Sequence, residues 1–333
     1  MNLPVREVVV RVLGFLRSTP ANFVRLRRQQ NRAIAQNKKI HFIVLTGRFG
    51  DILAAEPAIR KLKREGDYIV WLVRPSYADV LSFNPNIDAI IAVTSDMEAM
   101  ILRYFYKKMR WSNLTIDRQL CNIFGIRVSN PSALGIDATN FYRFGSLADV
   151  RSLIATGEKS GEIPRLYPDP SFDAGAFLGV IFSAKDAPLL VFHPASDEFA
   201  RSWEVDKAQR FADWVLENTD CNILEVGLKP YLRGGARTYL LRGELPLSWQ
   251  LAVVKKARLF VGVDSGFSHV ANAAAVNSIL LIGKYLGFAD HLPWQIKPQD
   301  IVIRSDGQAH EIPVSDVTKA VIQMLEVEIQ ALT

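Results

Sequence analysis

Residues 40–64 read IHFIVLTGRFGDILAAEPAIRKLKR, and this stretch sets the fold class expected for the chain. The apolar run Ile40–Leu45 is followed by a loop with two glycines and then by the helical pattern of Ile52–Arg64. A short apolar run that leads through a loop into an amphipathic helix is typical of a buried parallel strand and its crossover helix. The stretch therefore predicts the first strand–loop–helix unit of an α/β protein.

The same alternation of short apolar runs and amphipathic stretches occurs on both sides of a less periodic region, residues 109–185. The predicted strands are Ile40–Leu45, Tyr68–Val73, Ile87–Val93, Pro188–Phe192, Cys221–Val226, Leu259–Val263 and Ser278–Ile282. The predicted helices are Ile52–Arg64, Tyr77–Ser82, Glu98–Lys108, Val205–Asn218, Leu247–Lys256, Ser268–Val276 and Val314–Leu325. Because such alternation favours parallel sheets with right-handed crossovers, we predict two doubly wound α/β domains with a cleft between them.

This interpretation divides the chain into four parts. They are a basic amphipathic arm (1–39), a first domain (40–185), a second domain (186–313) and a last helix (314–333) that returns to the first domain. In open parallel sheets, ligands bind beyond the carboxyl ends of the strands, where the strand-to-helix loops lie. Catalytic and ligand-binding residues are therefore expected in the loops after the predicted strands.

Charge is distributed unevenly along the 333 residues. The arm holds nine Arg and Lys residues against one Glu, whereas the remainder holds 31 basic and 33 acidic residues. A near-neutral body argues against a nucleic-acid partner. The pattern of Pro4–Arg17 predicts a basic amphipathic helix, which either lies on an anionic membrane surface, packs on the body of the protein or pairs with another copy. Its apolar runs are too short for a signal peptide or a membrane span.

The two cysteines favour a location inside the cell. Cys121 and Cys221 are 100 residues apart and follow neither a metal-binding nor a redox spacing. Such residues are typical of free thiols in a reducing compartment, so a cytoplasmic protein is predicted.

The first loop of interest is Thr46–Asp51, TGRFGD. Gly47 and Gly50 permit backbone conformations that a side chain forbids, and Asp51 follows at the start of a helix. In one interpretation Asp51 only caps the helix, which is worth about 0.5–2 kcal/mol. In the other, its carboxylate is held at the mouth of a cleft to do chemistry.

Two further loops have the same strand–loop–helix context. The stretch HPASDEFARSW (193–203) contains Ser196 and Arg201, a hydroxyl and a guanidinium of the kind that bind phosphate. The stretch VGVDSGFSHVANAAA (261–275) places Asp264, Ser265 and Gly266 at a helix start, with His269 one turn later. Free backbone N–H groups and the positive helix end make such a place suitable for an anion, although an ordinary capped helix has the same pattern.

Several other chemistries lack their motifs in the sequence. There is no G-x-G-x-x-G for a dinucleotide and no G-x-x-x-x-G-K-[ST] for a Walker-type phosphate loop. There is also no D-x-D pair to hold a divalent metal on a diphosphate. A nucleotide diphosphate would therefore be bound by Arg, Ser and a helix end, without a metal and without a cofactor.

Taken together, the three loops resemble glycosyltransferase family 9, the heptosyltransferases. FIVLTGRFGDILAAEPAIRKLK resembles the N-terminal motif of the family, while VFHPASDEFARSW and LFVGVDSGFSHVANAAAVNSILLIG resemble its two donor-domain motifs. The motifs agree in order, spacing and context over most of residues 40–283. Two loops depart from the family pattern, at 227–230 (GLKP) and at 283–294 (GKYLGFADHLPW), and Lys284 in the latter is a further candidate for phosphate contact.

The resemblance implies a GT-B fold, in which two Rossmann-like domains face a cleft. It implies an inverting, metal-independent transfer of a heptose or related sugar from a nucleotide-diphosphate donor, typically ADP-linked, to a lipopolysaccharide or other glycolipid acceptor. Asp51 matches the catalytic base, and Gly47 and Gly50 belong to the acceptor loop. The donor-diphosphate set it implies is Ser196, Arg201, Asp264, Ser265, Gly266 and His269.

Two alternatives share the phosphate-binding features. One is a non-catalytic relative that binds a nucleotide sugar or a glycan. The other is a GT-B-fold sugar-nucleotide epimerase, which would convert its donor without any acceptor.

Overall fold

The computed structural model describes residues 5–121, 126–129, 132, 134–137, 139–184, 186–228, 230–284, 294 and 296–332. The chain forms two compact units, Met1–Tyr167 and Pro168–Thr333, and each contains one all-parallel sheet. The boundary therefore lies earlier than the predicted 185/186. The residues in between include a helix, Ala174–Ile181, which packs against another helix of the second unit, Leu247–Val254.

The first unit contains a four-stranded sheet, a hairpin and the helices that cover the sheet. Its helices are α1 (Val5–Ala35), α2 (Phe49–Ala54), α3 (Glu56–Arg64), α4 (Ala78–Leu81), α5 (Asp96–Phe105) and α6 (Leu147–Thr156). Its strands are β1 (Ile40–Val44), β2 (Tyr68–Val73), β3 (Ala89–Ala92), β4 (Arg110–Asn113) and the antiparallel pair β5 (Asp117–Cys121) and β6 (Ile126–Ser129). The sheet order is β3-β2-β1-β4, so the winding direction reverses between β1 and β4.

Alternate residues of the central strands feed two separate apolar layers. Ile43 and Trp71 face α2 and α3, whereas Phe42 and Val70 face α1 and α5. Burial on both faces explains why β1 and β2 are continuous apolar runs rather than alternating ones. The described part of the basic arm is thus a structural helix of the first unit.

The predicted helix Ile52–Arg64 is in fact two helices, α2 and α3. They meet at Ala55, and Pro57 lies in the first turn of α3. Proline lacks the N–H that a continuing helix would need, but it is well tolerated in a first turn. A new helix therefore begins where the sequence pattern alone indicated a continuous one.

The second unit is a six-stranded parallel sheet with helices on both faces. Its strands are β7 (Leu189–His193), β8 (Asn222–Val226), β9 (Thr238–Leu241), β10 (Leu259–Val263), β11 (Asn277–Ile282) and β12 (Ile301–Arg304). Its helices are α7 (Ala174–Ile181), α8 (Val205–Asn218), α9 (Leu247–Val254), α10 (Gly266–Ala273) and α11 (Val314–Leu332). The order β12-β11-β10-β7-β8-β9 reverses its winding between β7 and β10.

The last helix, α11, packs within the second unit. Val317 and Val321 join the apolar layer formed with α8 on one face of the sheet. Its predicted return to the first domain stays a prediction. Among the residues that the structure describes, no helix is both long enough and apolar enough to cross a membrane.

Candidate active site

In both sheets the winding reverses at a strand whose following loop carries a candidate site residue. In the first unit the loop of Asp51 follows β1, which is paired with β4 at the reversal. In the second unit the loops of Arg201 and Asp264 follow β7 and β10, which are paired with each other. A reversal point leaves a crevice at the carboxyl ends of the two strands, because their crossover helices lie on opposite faces. A shared cleft for all three loops stays a prediction.

Asp51 lies in the first turn of α2 and does cap that helix. Its Oδ2 accepts a hydrogen bond from the backbone N–H of Arg48 at 3.3 Å. Gly47 leaves room for this arrangement, because a Cβ at that position would lie 3.1 Å from the same carboxylate oxygen and would require a shift of a few tenths of an ångström. The side chain remains about one-quarter exposed, so the carboxylate is both held and accessible.

The other oxygen of Asp51 is bound by a residue that the sequence analysis missed. Arg151 of α6 is buried, and its Nη2 lies 2.7 Å from Asp51 Oδ1. The same guanidinium also donates to the carbonyl of Leu114, at the end of β4. Arg151 therefore ties α2, α6 and the β4 end together and fixes the orientation of the carboxylate. Nothing local in the sequence points to it, because it lies 100 residues from Asp51 in the less periodic region.

In the second unit the structure brings Arg201 and Asp264 together. Arg201 Nη1 lies 3.3 Å from Asp264 Oδ2 and 3.5 Å from the Asp264 carbonyl oxygen. The two loops meet because β7 and β10 run side by side, with Gly262 opposite His193. A Cβ at Gly262 would lie 2.8 Å from the His193 carbonyl oxygen, so only glycine allows this approach. Gly262 is not among the site residues predicted from the sequence.

The start of α10 has the features of an anion site. Ser265 is the N-cap, and Ser268 Oγ accepts the Ser265 N–H at 3.1 Å while donating to the Ser265 carbonyl. Ser265 Oγ is buried and faces the Ser268 N–H in a capping box, without a close hydrogen bond to any described residue. Its hydroxyl, the positive end of an eight-residue helix and the nearby Arg201 guanidinium are together suited to bind an anion.

The remaining predicted site residues are placed differently. His269 is buried one turn into α10, and its ring packs edge-on against Trp294 with centroids 5.3 Å apart. Ser196 is half-buried and accepts the Glu198 N–H at 3.5 Å, so it shapes its own loop. Lys284 is half-exposed and pairs with Asp306 at 3.0 Å. Gly266 and Gly50 lie in the first turns of α10 and α2.

Trp203 anchors the loop that carries Arg201. Its backbone N–H donates to the Pro194 carbonyl at 2.8 Å, and its indole N–H donates to the Ile312 carbonyl at 2.9 Å. The indole is almost fully buried and packs edge-on against Phe192. Because both ends of the loop are fixed in this way, the position of Arg201 is set by the core of the second unit.

His193 has a structural role at the end of β7. Its Nδ1 lies 2.6 Å from the Val226 carbonyl oxygen, and its ring packs on Phe267 with centroids 5.0 Å apart. Burial lowers the pKa of His193 to about 4, so the ring is neutral at pH 7 and its Nδ1–H donates to Val226. The bond joins the carboxyl ends of β7 and β8.

This lowered pKa predicts a pH-dependent stability. The unfolded chain takes up a proton at His193 near pH 6.5, whereas the folded chain does so only near pH 4. The free energy of unfolding therefore falls as the pH drops through this window. His193→Asn keeps an N–H donor but does not titrate, so its free energy of unfolding should fall by about 1–2 kcal/mol less between pH 6.5 and about pH 5. Urea unfolding at several pH values measures this, and identical slopes for both proteins would contradict it.

No group of three or more His, Cys, Asp or Glu side chains in the described ranges is placed to hold a metal ion. Metal independence stays a prediction.

Residues 178–286 match the model of glycosyltransferase family 9 (heptosyltransferase). The match confirms the resemblance seen in the sequence and, with it, the enzyme class, a glycosyltransferase. It includes the loops of Arg201 and Asp264, whereas the loop of Asp51 lies outside it. A comparison with curated proteins found no match.

Solved structures with this architecture confirm the predicted GT-B-like fold class. A family 9 glycosyltransferase from Veillonella parvula is 16% identical, with 86% of this chain and 97% of that one covered and a TM-score of 0.62. The ADP-heptose lipopolysaccharide heptosyltransferase II of E. coli is 16% identical, with 87% and 99% covered and a TM-score of 0.64. The dodecameric iron-containing glycosyltransferase TibC of enterotoxigenic E. coli is 14% identical, with 89% and 77% covered and a TM-score of 0.59.

Proposed function

We propose that the protein is an inverting, metal-independent glycosyltransferase. It moves a heptose or related sugar from a nucleotide-diphosphate donor, ADP-linked, to a lipopolysaccharide or other glycolipid acceptor. The observation that carries the proposal is the anion site at the winding reversal of the second sheet, formed by Arg201 and the start of α10. The ADP-linked donor is supported by the name of the E. coli heptosyltransferase II, which has the same fold.

On the donor side, the chemistry is the stabilisation of a leaving group. As the bond between the sugar carbon and the diphosphate oxygen breaks, its electron pair moves to the diphosphate. Arg201, the Ser265 hydroxyl and the N–H groups at the start of α10 are placed to receive that charge. Groups already aimed at developing charge lower the barrier, because they need no reorganisation when it appears. Asp264 holds Arg201 in position through their 3.3 Å contact.

On the acceptor side, the chemistry is the removal of a proton. An acceptor hydroxyl is a poor nucleophile until a base takes its proton as the new glycosidic bond forms. Asp51 supplies a partly exposed carboxylate whose orientation is fixed by Arg151. Attack from the face opposite the leaving diphosphate inverts the sugar carbon and needs only this one carboxylate. The proton passes from the acceptor oxygen to Asp51.

We infer that the transfer takes place in the cytoplasm. The acceptor is a glycolipid, and the basic arm, residues 1–39, brings the protein to the inner face of the cytoplasmic membrane. This arm has nine basic residues and only one acidic residue, and this balance supports contact with anionic lipid.

One observation favours a second candidate, a non-catalytic relative that binds a nucleotide sugar. Both oxygens of Asp51 are engaged, one with the Arg48 N–H and the other with Arg151, as a purely structural carboxylate would be. In that case the anion site would bind the donor, and no transfer or epimerisation would follow.

Calorimetric titration with ADP, UDP and GDP, with Mg²⁺ and with EDTA, is the first test. Tight binding of ADP that is equal in both conditions is the expected result. The protein is then incubated with ADP-heptose alone and with a lipopolysaccharide-core acceptor. Transfer only in the presence of acceptor supports the proposal, whereas a change in the donor without acceptor indicates an epimerase. Binding without either reaction indicates the non-catalytic relative, and binding only with Mg²⁺ contradicts metal independence.

A further inference from the structure

Helix α1 carries apolar side chains on two sides, and the fold buries only those on one side. The inner face packs on the first sheet through Leu26 and Ala33, and through Asn22, whose side chain donates to Glu98 at 2.8 Å. A helix that served only to cover the sheet would be polar on its outer side. The outer side of α1 does not follow this rule.

Four large apolar side chains lie on the outer side of α1. Leu13, Leu16, Val24 and Ile34 are 46%, 60%, 63% and 66% exposed. At 100° per residue they fall on the side opposite Asn22 and Leu26, within roughly a quarter-turn of one another. Single exposed apolar residues are ordinary, but a row of four along one helix indicates an interaction surface.

The end of α5 extends this surface. Tyr104 and Phe105 are 70% and 66% exposed, and Phe105 packs edge-on against Phe23 of α1 with centroids 5.0 Å apart. Lys107 lies over the Tyr104 ring at 5.9 Å. Tyrosine and phenylalanine beside a lysine are typical of a surface that inserts into the headgroup region of a membrane. We refer to the outer side of α1 together with Tyr104 and Phe105 as the α1–α5 surface.

Exposed cations lie among and beside these apolar residues. Arg17, Arg27, Arg28 and Arg32 lie on α1, Arg103 lies on α5, and Lys107 and Lys108 follow α5. Phe23, Val24 and three of the arginines line a shallow depression of about 670 Å³ on the outer side of α1. Guanidinium groups beside an apolar floor match the phosphates and glycerol backbone of a lipid headgroup.

We propose that the α1–α5 surface is a membrane-docking surface that binds anionic lipid headgroups through its arginines and inserts Tyr104, Phe105 and the outer residues of α1 among them. This proposal rests on the membrane contact of the proposed function and extends it, because the end of α5 joins the arm in forming the contact surface. The charge favours a bilayer over a second copy, because two α1 helices with a large excess of arginine would repel each other. Docking needs no sugar transfer, so it can be tested apart from the reaction.

The test is co-sedimentation of the full-length protein with vesicles of phosphatidylcholine alone and of phosphatidylcholine with phosphatidylglycerol. We expect binding only to the anionic vesicles. Arg27→Glu with Arg28→Glu should weaken it by at least about tenfold, since each basic residue near an anionic surface contributes appreciably. Leu16→Ser with Val24→Ser, and separately Tyr104→Ser with Phe105→Ser, should weaken it by a similar factor through lost apolar insertion.

Matched controls come from the second unit. Lys255→Glu with Lys256→Glu reverses two exposed cations, and Val180→Ser removes a valine that is 85% exposed. Both controls should bind vesicles like the parent, and circular dichroism with thermal unfolding establishes that every variant is folded. Absence of vesicle binding by the parent, or equal binding by all variants, overturns the proposal. The proposal is also overturned if the parent forms a dimer, the double variant Leu16→Ser with Val24→Ser does not, and neither protein binds vesicles. The affinity of the same variants for ADP should equal that of the parent. If docking fails while all of these proteins still bind ADP, only the docking proposal is contradicted and the proposed function stands.

Discussion

Replacement of Asp51 by asparagine is expected to lower kcat for sugar transfer by about 10²–10⁴-fold, the usual contribution of a positioned general base. Asparagine has nearly the same size and keeps one acceptor oxygen, which can take the hydrogen bond from Arg151, while its NH2 group loses the contact with the Arg48 N–H. It cannot take up the acceptor proton. The affinity for ADP should stay within about twofold of the parent, because the proposed phosphate contacts belong to the second unit. Steady-state transfer assays and calorimetry measure the two effects separately.

Asp149→Asn is the matched control for this experiment. Asp149 occupies the corresponding first-turn position of α6, where its Oδ2 accepts the Ser146 N–H at 3.3 Å. Both variants lose a helix-capping carboxylate, but only Asp51 is proposed to touch the acceptor. We therefore expect Asp149→Asn to lower stability while kcat stays near that of the parent. Equal activity of Asp51→Asn and the parent would show that Asp51 is only a helix cap.

Replacement of Arg201 by alanine is expected to weaken ADP binding by about tenfold to a hundredfold. A hydrogen bond between a guanidinium and a charged phosphate typically contributes about 1.5–3 kcal/mol. The same change leaves the Asp264 carboxylate without its 3.3 Å partner near the proposed phosphate position, which adds repulsion. kcat should fall as well, because the leaving diphosphate loses a stabilising charge. Calorimetric titration with ADP and transfer assays at saturating donor measure the two effects.

Arg233→Ala is the control for this second prediction. Arg233 is an exposed arginine of the same unit, in the segment that precedes β9, and its removal changes the net charge by the same amount. Its affinity for ADP should equal that of the parent. If Arg201→Ala and the parent bind ADP equally well, the anion site at the start of α10 does not hold the diphosphate, and the proposal loses the observation that carries it.

The predicted strands all exist, and most of them are apolar runs that are buried along their whole length. β3, at a sheet edge, is only partly buried. Val205–Asn218 and Leu259–Val263 have the bounds that the pattern indicated. The elements that the pattern missed include β4, β9, β12 and α6. β4 reads RWSN and lies at an edge of its sheet, where polar residues are tolerated. Apolar periodicity carries little information there.

The candidate site residues also divide into those that the sequence could locate and those that it could not. Asp51, Arg201, Asp264 and Ser265 stand in loops that follow strongly apolar strands, so the sequence could locate them. His269 was also selected from its motif, yet it is buried against Trp294, because the second turn of α10 packs inward. Arg151 and Gly262 carry no local signal, since their importance lies in partners that are distant along the chain or across the sheet.

The sequence by itself determined the α/β class, the order of the buried strands and the loops that bear candidate chemistry. These depend on residue type and spacing within about 20 residues, and apolar burial and turn formation act at that range. Only the tertiary structure decided that Arg151 orients Asp51, that Arg201 meets Asp264 and that α1 leaves apolar side chains exposed on its outer side. Each of these depends on which strands become neighbours and which helix face the sheet covers. That choice is made by long-range packing, which no single stretch of sequence contains.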